Sequence, residues 1–392
     1  MLYQLPELPP EYRCVIQGVD EMRLRLRLLL RQQPTRWTGL LRRSQLARAI
    51  QGSNSIEGYN VTVDDAIAAV EGEQPLIDER TEPWLAVRGY REAMTYILQL
   101  SDDAHFAHHE AMLRSLHYMM LSYDLGKHPG RWRPGVIYVR REGTSDIVYE
   151  GPDAALLPVL MEELVRCLNA ASDLPIVVRA ALAHLNLVMI HPFSDGNGRM
   201  ARALQSLVLA REGILAPAFS SIEEYLGHNT QEYFAVLAEV GQGAWHPERD
   251  PLPWVKFCLT AHYRQAETLL RRSQEAGRLW SELEAEITRR GLLERVILAL
   301  HDAAFGYRVR NTTYRKAADV SDAVASRDLA QLVAAGLLVA QGEKRGRFYV
   351  AGDWLHKVRA ETRLTKVTSN PFTGEQVREE PAPYPNPPEV QP

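Results

Sequence analysis

Along most of the chain, apolar residues recur every three or four positions, and short turn-rich breaks divide the pattern. MRLRLRLLLRQQP (Met22 to Pro34) alternates like a strand at first, but its flanks and length favour an amphipathic helix. SQLARAIQGSNSIEG also has a helical period, with Ser44 placed to cap its start and Gly58 to end it in a left-handed conformation. Helical periodicity fills the stretch from Glu82 to Leu121. The character then changes: GVIYVRREGTSDIVYEG (Gly135 to Gly151) is β-branched and aromatic around a polar turn at Glu142 to Asp146, which predicts a β-hairpin. Helices return in LLPVLMEELVRCLN, LPIVVRAALAHLNLVMI and RMARALQSLVLAREG, and further helical segments run to about Gly291. Pro217, Pro247, Pro251 and Pro253 fall where helices should break.

From about Leu300 a smaller unit reads helix, helix, hairpin, through TTYRKAADV, SDAVASRDLAQLVAAGLL and LVAQGEKRGRFYVAG. The end, NPFTGEQVREEPAPYPNPPEVQP, is rich in proline and charge and poor in core formers, so a disordered tail is expected. The predicted organisation is mainly α. It has an N-terminal helical region (1–75), a core (76–270), a connecting helix (271–300), a small α+β domain (301–355) and a tail (356–392).

Length and charge narrow this picture. A chain of 392 residues is too long for one compact core. A net charge of −4 supplies no global field for nucleic acid, so any such role needs a local patch. Cys14, Cys167 and Cys258 are odd in number and far apart, which fits a reducing, cytoplasmic setting rather than a disulfide framework. The N-terminus MLYQLPELPP lacks the pattern of a signal peptide, and no apolar run is long enough to span a bilayer.

One segment concentrates polar groups: HPFSDGNGRMAR, from His191 to Arg202, directly after an apolar helical run. DGNG alone is an ordinary turn signal. A calcium loop counted from Asp195 fails, because Arg199 stands at its fifth position and Ser206, not glutamate, at its twelfth. No GxxxxGK[ST], HExxH or cysteine pair is present to suggest a Walker A loop or a zinc site. A phosphate cradle fits better. Gly196 and Gly198 let backbone N–H groups approach a ligand at a helix start, where the dipole favours an anion. Arg199 and Arg202 are three apart and can share one helix face to grip phosphate oxygens. Asn197 can donate to another oxygen, Asp195 offers a carboxylate for magnesium, and His191 can accept a proton near neutral pH.

HPFSDGNGRMAR resembles the signature HPFx[DE]GNGRxxR of the Fic family at every fixed position. The hairpin and LLPVLMEELVRCLN are similar to that family's flap and the helix after it, and the resemblance extends over roughly residues 40–270. It implies an all-helical core and an enzyme that moves a nucleotide, usually AMP from ATP, onto a Tyr, Thr or Ser hydroxyl of a protein, itself included. It further implies His191 as base, Asp195 as magnesium ligand, and Asn197 with the amides around Gly196 and Gly198 on the α-phosphate. Arg199 and Arg202 would take the β- and γ-phosphates. EYLGHNTQEYFAVL resembles the segment near the nucleobase, where Tyr233 and Phe234 either wall the adenine or pack in the core. The family often dimerises, so a homodimer is a further expectation. The flap's exposed strand edge would pair with an extended target segment.

SNSIEG, Ser53 to Gly58, resembles the family's inhibitory motif [ST]xxxE[GN]. Independently, Glu57 at a helix end opposes the helix dipole, and a nearby cation would relieve that conflict. The resemblance makes that cation Arg202, with Ser53 bracing the site. The C-terminal unit resembles a winged helix, with Lys344, Arg345 and Arg347 at the wing tip able to meet DNA phosphate and Asp319, Asp322 and Asp328 opposing it. Two functions follow: an autoinhibited AMP-transferase, or a DNA-binding regulator whose core senses nucleotide. Removal of AMP from a target and use of another nucleotide donor are variants of the first.

Overall fold

The structure is a computed structural model that describes residues 1–5, 7–32, 35–140, 145–211, 219–343 and 346–379. It is mainly α-helical, and the described residues divide into two compact units. Among the described residues, the first comprises those of Met1–Arg27, Ser44–Ala266 and Pro371–Thr373; the second comprises those of Leu28–Arg43, Glu267–Asn370 and 374–379.

The first unit is built around α7 (Ile176–Ile190) and α8 (Asn197–Ala210), joined by the turn that carries HPFSDG. Both helices are buried on nearly every side, as expected of helices apolar or tightly packed all round. Around them lie α3 (Val63–Glu71), α4 (Glu82–Leu100), α5 (Glu110–Leu121), α6 (Leu157–Asn169), α9 (Glu223–His228) and α10 (Thr230–Gly241). Glu82–Leu121 is therefore two helices, broken at 101–109 by SDDAHFAHH, whose polar side chains cannot continue an apolar stripe. α1 (Pro10–Arg31) confirms the helical reading of MRLRLRLLLR.

α2 runs Thr35–Ile56. It starts nine residues before Ser44, which lies mid-helix and buried and so caps nothing. The expected C-terminal signal holds: Gly58 has φ +79°, and the N–H of Tyr59 closes the end on the Asn54 carbonyl at 3.0 Å. The hairpin forms as β1 (Tyr138–Arg140) and β2 (Ile147–Glu150), antiparallel, with part of its turn, 141–144, outside the described residues. Tyr149 is buried and donates to the Met189 carbonyl at 2.7 Å, which ties the hairpin to the end of α7.

α11 is one helix, Leu252–Arg290, with Pro253 in its first turn where a missing N–H costs nothing. Residues 271–290 are thus the second half of α11 rather than a separate connector, and the division between units falls within this helix. Pro217 lies outside the described residues.

The second unit contains α12 (Ile297–Ala304), which straddles the expected boundary at 300/301, and then, in the predicted helix, helix, hairpin order, α13 (Asn311–Ala318), α14 (Asp322–Ala334) and the antiparallel pair β3 (Leu338–Gln341) and β4 (Phe348–Ala351). Lys344 and Arg345 lie outside the described residues, while Arg347 is exposed. Asp319 and Asp322 are exposed, but Asp328 is buried. Its carboxylate takes two bonds from Arg295, at 2.7 and 2.9 Å, and one from the Tyr314 hydroxyl at 2.8 Å, so it serves the core and not the surface potential. Asp328→Ala strands the buried Tyr314 hydroxyl and unpairs Arg295. Urea unfolding should show a loss of about 2–4 kcal/mol.

The expected disordered tail is corrected over 356–379. α15 (Asp353–Glu361) and a hairpin of β5 (Lys366–Ser369) and β6 (Gln376–Glu379) occupy it. The cause is the buried carboxylate of Glu275, which accepts from Arg359 at 3.0 Å and from the Leu364 N–H at 3.0 Å. Composition does not reveal such long-range anchors. Residues 380–392 lie outside the described ones. No described helix is long and apolar enough to cross a membrane.

Candidate active site

His191 stands one residue past α7 with φ +52°, a left-handed conformation that is uncommon for a residue with a Cβ. Its Nδ1 lies 3.0 Å from the Val188 carbonyl. A carbonyl only accepts, so Nδ1 carries the proton and Nε2 keeps its lone pair. Burial lowers the ring's pKa below the ordinary 6.5, and the positive charge of Arg133 acts in the same direction. The ring is therefore neutral at pH 7 and fit to accept a proton.

Two residues that the sequence did not single out hold this turn. Arg133 donates to the His191 carbonyl at 2.8 Å and to the Pro152 carbonyl at 2.5 Å, and it also bonds the Gly135 carbonyl. It thereby joins the base to the foot of the hairpin. His117 accepts from the Gly130 N–H through Nδ1 at 2.8 Å and donates from Nε2 to the Asp195 carbonyl at 2.9 Å. It stacks on Phe193 with centroids 3.6 Å apart, and burial drives its pKa down to about 4, so it stays neutral.

Gly196 caps α8 with φ +73°, and a Cβ there would lie 2.8 Å from Leu121. Asn197 differs from its expected role. Its side-chain oxygen accepts from the Phe193 N–H and its amide donates to the Phe193 carbonyl, both at 2.9 Å, and it is buried. The side chain thereby shapes the turn, because the loop's own backbone groups need partners, and this uses one of the two N–H donors of its amide. Gly198 leaves room for another residue: a Cβ there would collide with the carboxylate of Glu57.

Arg199 is 1% exposed, and its Nε and Nη1 have no hydrogen-bond partner among the described residues. Each buried unpaired donor costs about 1–3 kcal/mol. Its guanidinium carbon lies 5.0 Å over the Tyr59 ring. Arg202, also buried, is fully engaged: Nε donates to Ser53 Oγ at 2.8 Å, and Nη2 to the Ser53 carbonyl at 3.0 Å and to Glu57 Oε1 at 2.6 Å. Burial alone would lower the Arg202 pKa, but the Glu57 carboxylate outweighs it and raises it. The end of α2 is thus locked onto the first turns of α8, and the charge conflict of Glu57 with its helix dipole is relieved by Arg202.

The Asp195 carboxylate is 40% exposed, with Oδ1 accepting from the Gly196 N–H at 2.6 Å and Oδ2 lying 3.3 Å from Lys127 Nζ. Burial pushes its pKa up, but Arg199 and Lys127 hold it below the ordinary carboxylate value. No group of three or more His, Cys, Asp or Glu able to hold a metal occurs among the described residues. One accessible carboxylate fits magnesium, which commonly takes one or two carboxylates and the phosphates of its substrate.

Tyr233 and Phe234 separate. Tyr233 is buried in the core, with its hydroxyl 3.0 Å from His184 Nε2 and within 3.5 Å of Arg202. It offers no face to an open pocket, because its position on α10 points inward. Phe234 is 50% exposed. In the hairpin, Val136, Tyr138 and Ile147 are exposed, and β1 pairs with β2 alone among the described strands.

Residues 107–209 match the Fic/DOC family. The chain is 27% identical over 234 residues to protein adenylyltransferase Fic of Nematostella vectensis, a stretch covering 56% of this chain and 48% of that protein. It is 32% identical over 212 residues to protein adenylyltransferase Fic of Drosophila sechellia, covering 51% and 40%. The chain thus spans half or less of the length of these curated relatives. Its fold resembles a Fic family protein from Desulfovibrio desulfuricans with a TM-score of 0.57 at 23% identity, covering 90% of this chain and 99% of that one.

Proposed function

We propose that this chain, which carries a Fic/DOC-family domain, is a protein adenylyltransferase held inactive at rest by its own helix α2. The observation that carries the reading is Arg199: a buried guanidinium whose Nε and Nη1 lack an acceptor among the described residues, on the helix start that follows a histidine bonded through Nδ1. An anion is what such a place lacks, and a triphosphate is the anion that uses a base alongside it.

In this reading the phosphates of ATP lie along the start of α8, with Arg199 and, once released, Arg202 on the β- and γ-phosphates. The amides around Gly196 and Gly198 face the α-phosphate, with the Asn197 side chain keeping the turn in shape. His191 Nε2 takes the proton of a Tyr, Thr or Ser hydroxyl on the target protein. The freed oxygen bonds to the α-phosphorus, and the bond to the departing pyrophosphate breaks. Asp195 would hold a magnesium ion, which neutralises phosphate charge when bound. The free edge of β1 and the exposed Tyr138 and Ile147 suit an extended target segment laid beside the hairpin. The helix–helix–hairpin order of residues 311–351 supports a winged helix in the second unit.

Intact-mass measurement of the Glu57→Gly protein after incubation with Mg-ATP tests the reading. A gain of one AMP per modified site is expected; an unchanged mass, with added candidate targets also unmodified, sinks it. The pH profile offers a second check. Because His191 must be neutral to act and its pKa lies below 6.5, kcat/KM should stay level through neutral pH and fall only below that value. A fall beginning well above pH 7 would remove His191 as the base.

A further inference from the structure

Glu57 is not the only residue of its segment that touches the phosphate arginines. The turn at Gly58 folds the chain back so that Tyr59, two residues on, meets Arg199, three residues before Arg202. The Tyr59 hydroxyl donates to Glu82 Oε1 at 3.0 Å, at the start of α4. Lys127 donates to the same hydroxyl at 3.1 Å and to Glu82 at 2.5 Å, and the same ammonium lies 3.3 Å from Asp195. Four separate stretches of chain converge on this one side chain and its partners.

We propose that Tyr59 is a second clasp on the phosphate site, covering Arg199 with its ring while its hydroxyl helps hold Lys127 against Asp195. The proposal rests on reading residues 191–202 as a triphosphate site. Cation and ring attract each other, and the attraction grows when water is excluded, as it is around a guanidinium that is 1% exposed. The ring stabilises the buried charge of Arg199 without giving its Nε and Nη1 an acceptor, so the arginine is covered but its hydrogen bonds are not satisfied. Lys127 likewise sets a tethered positive charge where a phosphate-bound cation would meet Asp195. Removing Glu57 alone releases Arg202 from its carboxylate and leaves both of these contacts closed.

Calorimetric titration of ATP, in magnesium, into the parent protein, Glu57→Gly, Tyr59→Ala and the double variant separates the two clasps. Tyr59→Ala should tighten ATP binding about three- to tenfold in both backgrounds, from the usual strength of a partly desolvated cation–π contact. Tyr59→Phe keeps the ring and loses only the hydroxyl, so it should tighten binding less than Tyr59→Ala. Should the alanine variant not fold, Tyr59→Leu, which fills the space without an aromatic face, should still bind more tightly than the parent. Unchanged or weaker binding by the folded Tyr59 variants overturns the clasp, as does a gain that vanishes once Glu57 is gone. ATP failing to bind even Glu57→Gly is a different result: it removes the triphosphate site itself, and the clasp with it.

Discussion

In a Glu57→Gly background, His191→Ala should lower the rate of AMP transfer about 10²–10⁴-fold, the usual contribution of a positioned general base. ATP affinity should hardly change, because the imidazole bonds the Val188 carbonyl among the described residues and the phosphates are assigned to other groups. The backbone at this position has φ +52°, which alanine tolerates no better than histidine. His191→Asn is therefore the proper companion, since asparagine accepts a left-handed conformation more readily and cannot serve as the base. Equal loss in both variants, with ATP binding intact by calorimetry, identifies the missing proton acceptor as the cause. Survival of transfer in either would place the base elsewhere.

The second large effect runs in the opposite direction. Glu57→Gly should raise the initial rate of self- or target labelling about 10–100-fold over the parent protein. The charge-assisted bond between Arg202 and Glu57 is short, at 2.6 Å, and one partner is fully buried. Bonds of that kind contribute about 1.5–3 kcal/mol, and each 1.4 kcal/mol is a factor of ten in binding. Without the carboxylate, Arg202 keeps, among the described residues, its two contacts to Ser53 and the distant Tyr233 hydroxyl, and a γ-phosphate becomes its natural acceptor. Radiolabel incorporation at limiting ATP measures the change. Identical rates for the two proteins would mean that the Glu57–Arg202 pair only fastens α2 in place.

These two effects differ in how they appear in the sequence. His191 and its neighbours lie within twelve residues, and their turn, helix start and arginine spacing are properties of local backbone geometry. The latch needed a second segment, and its recognition depended on a short motif read beside a long one. What that motif could not convey is why Glu57 fits: Gly198 has no Cβ, and the carboxylate fills the place where one would stand.

Taken by itself, the sequence determined the helical periods, the hairpin of 138–150, the left-handed end of α2 and the composition of the HPFSDGNGRMAR turn. All of these depend on residues a few positions apart, where turn chemistry and side-chain period act directly. Tertiary structure alone decided the rest. Asn197 serves its own loop, bonding both the N–H and the carbonyl of Phe193. Tyr233 turns inward because α10 packs it into the core. Residues 356–379 become ordered because a buried glutamate, 84 positions before Arg359 and 89 before Leu364, holds them. Arg133, His117, Lys127, Glu82 and Tyr59 enter the site from separate stretches with no shared spacing. Arg202 meets Glu57 across 145 positions of chain, a distance that only the packing of α2 on α8 closes.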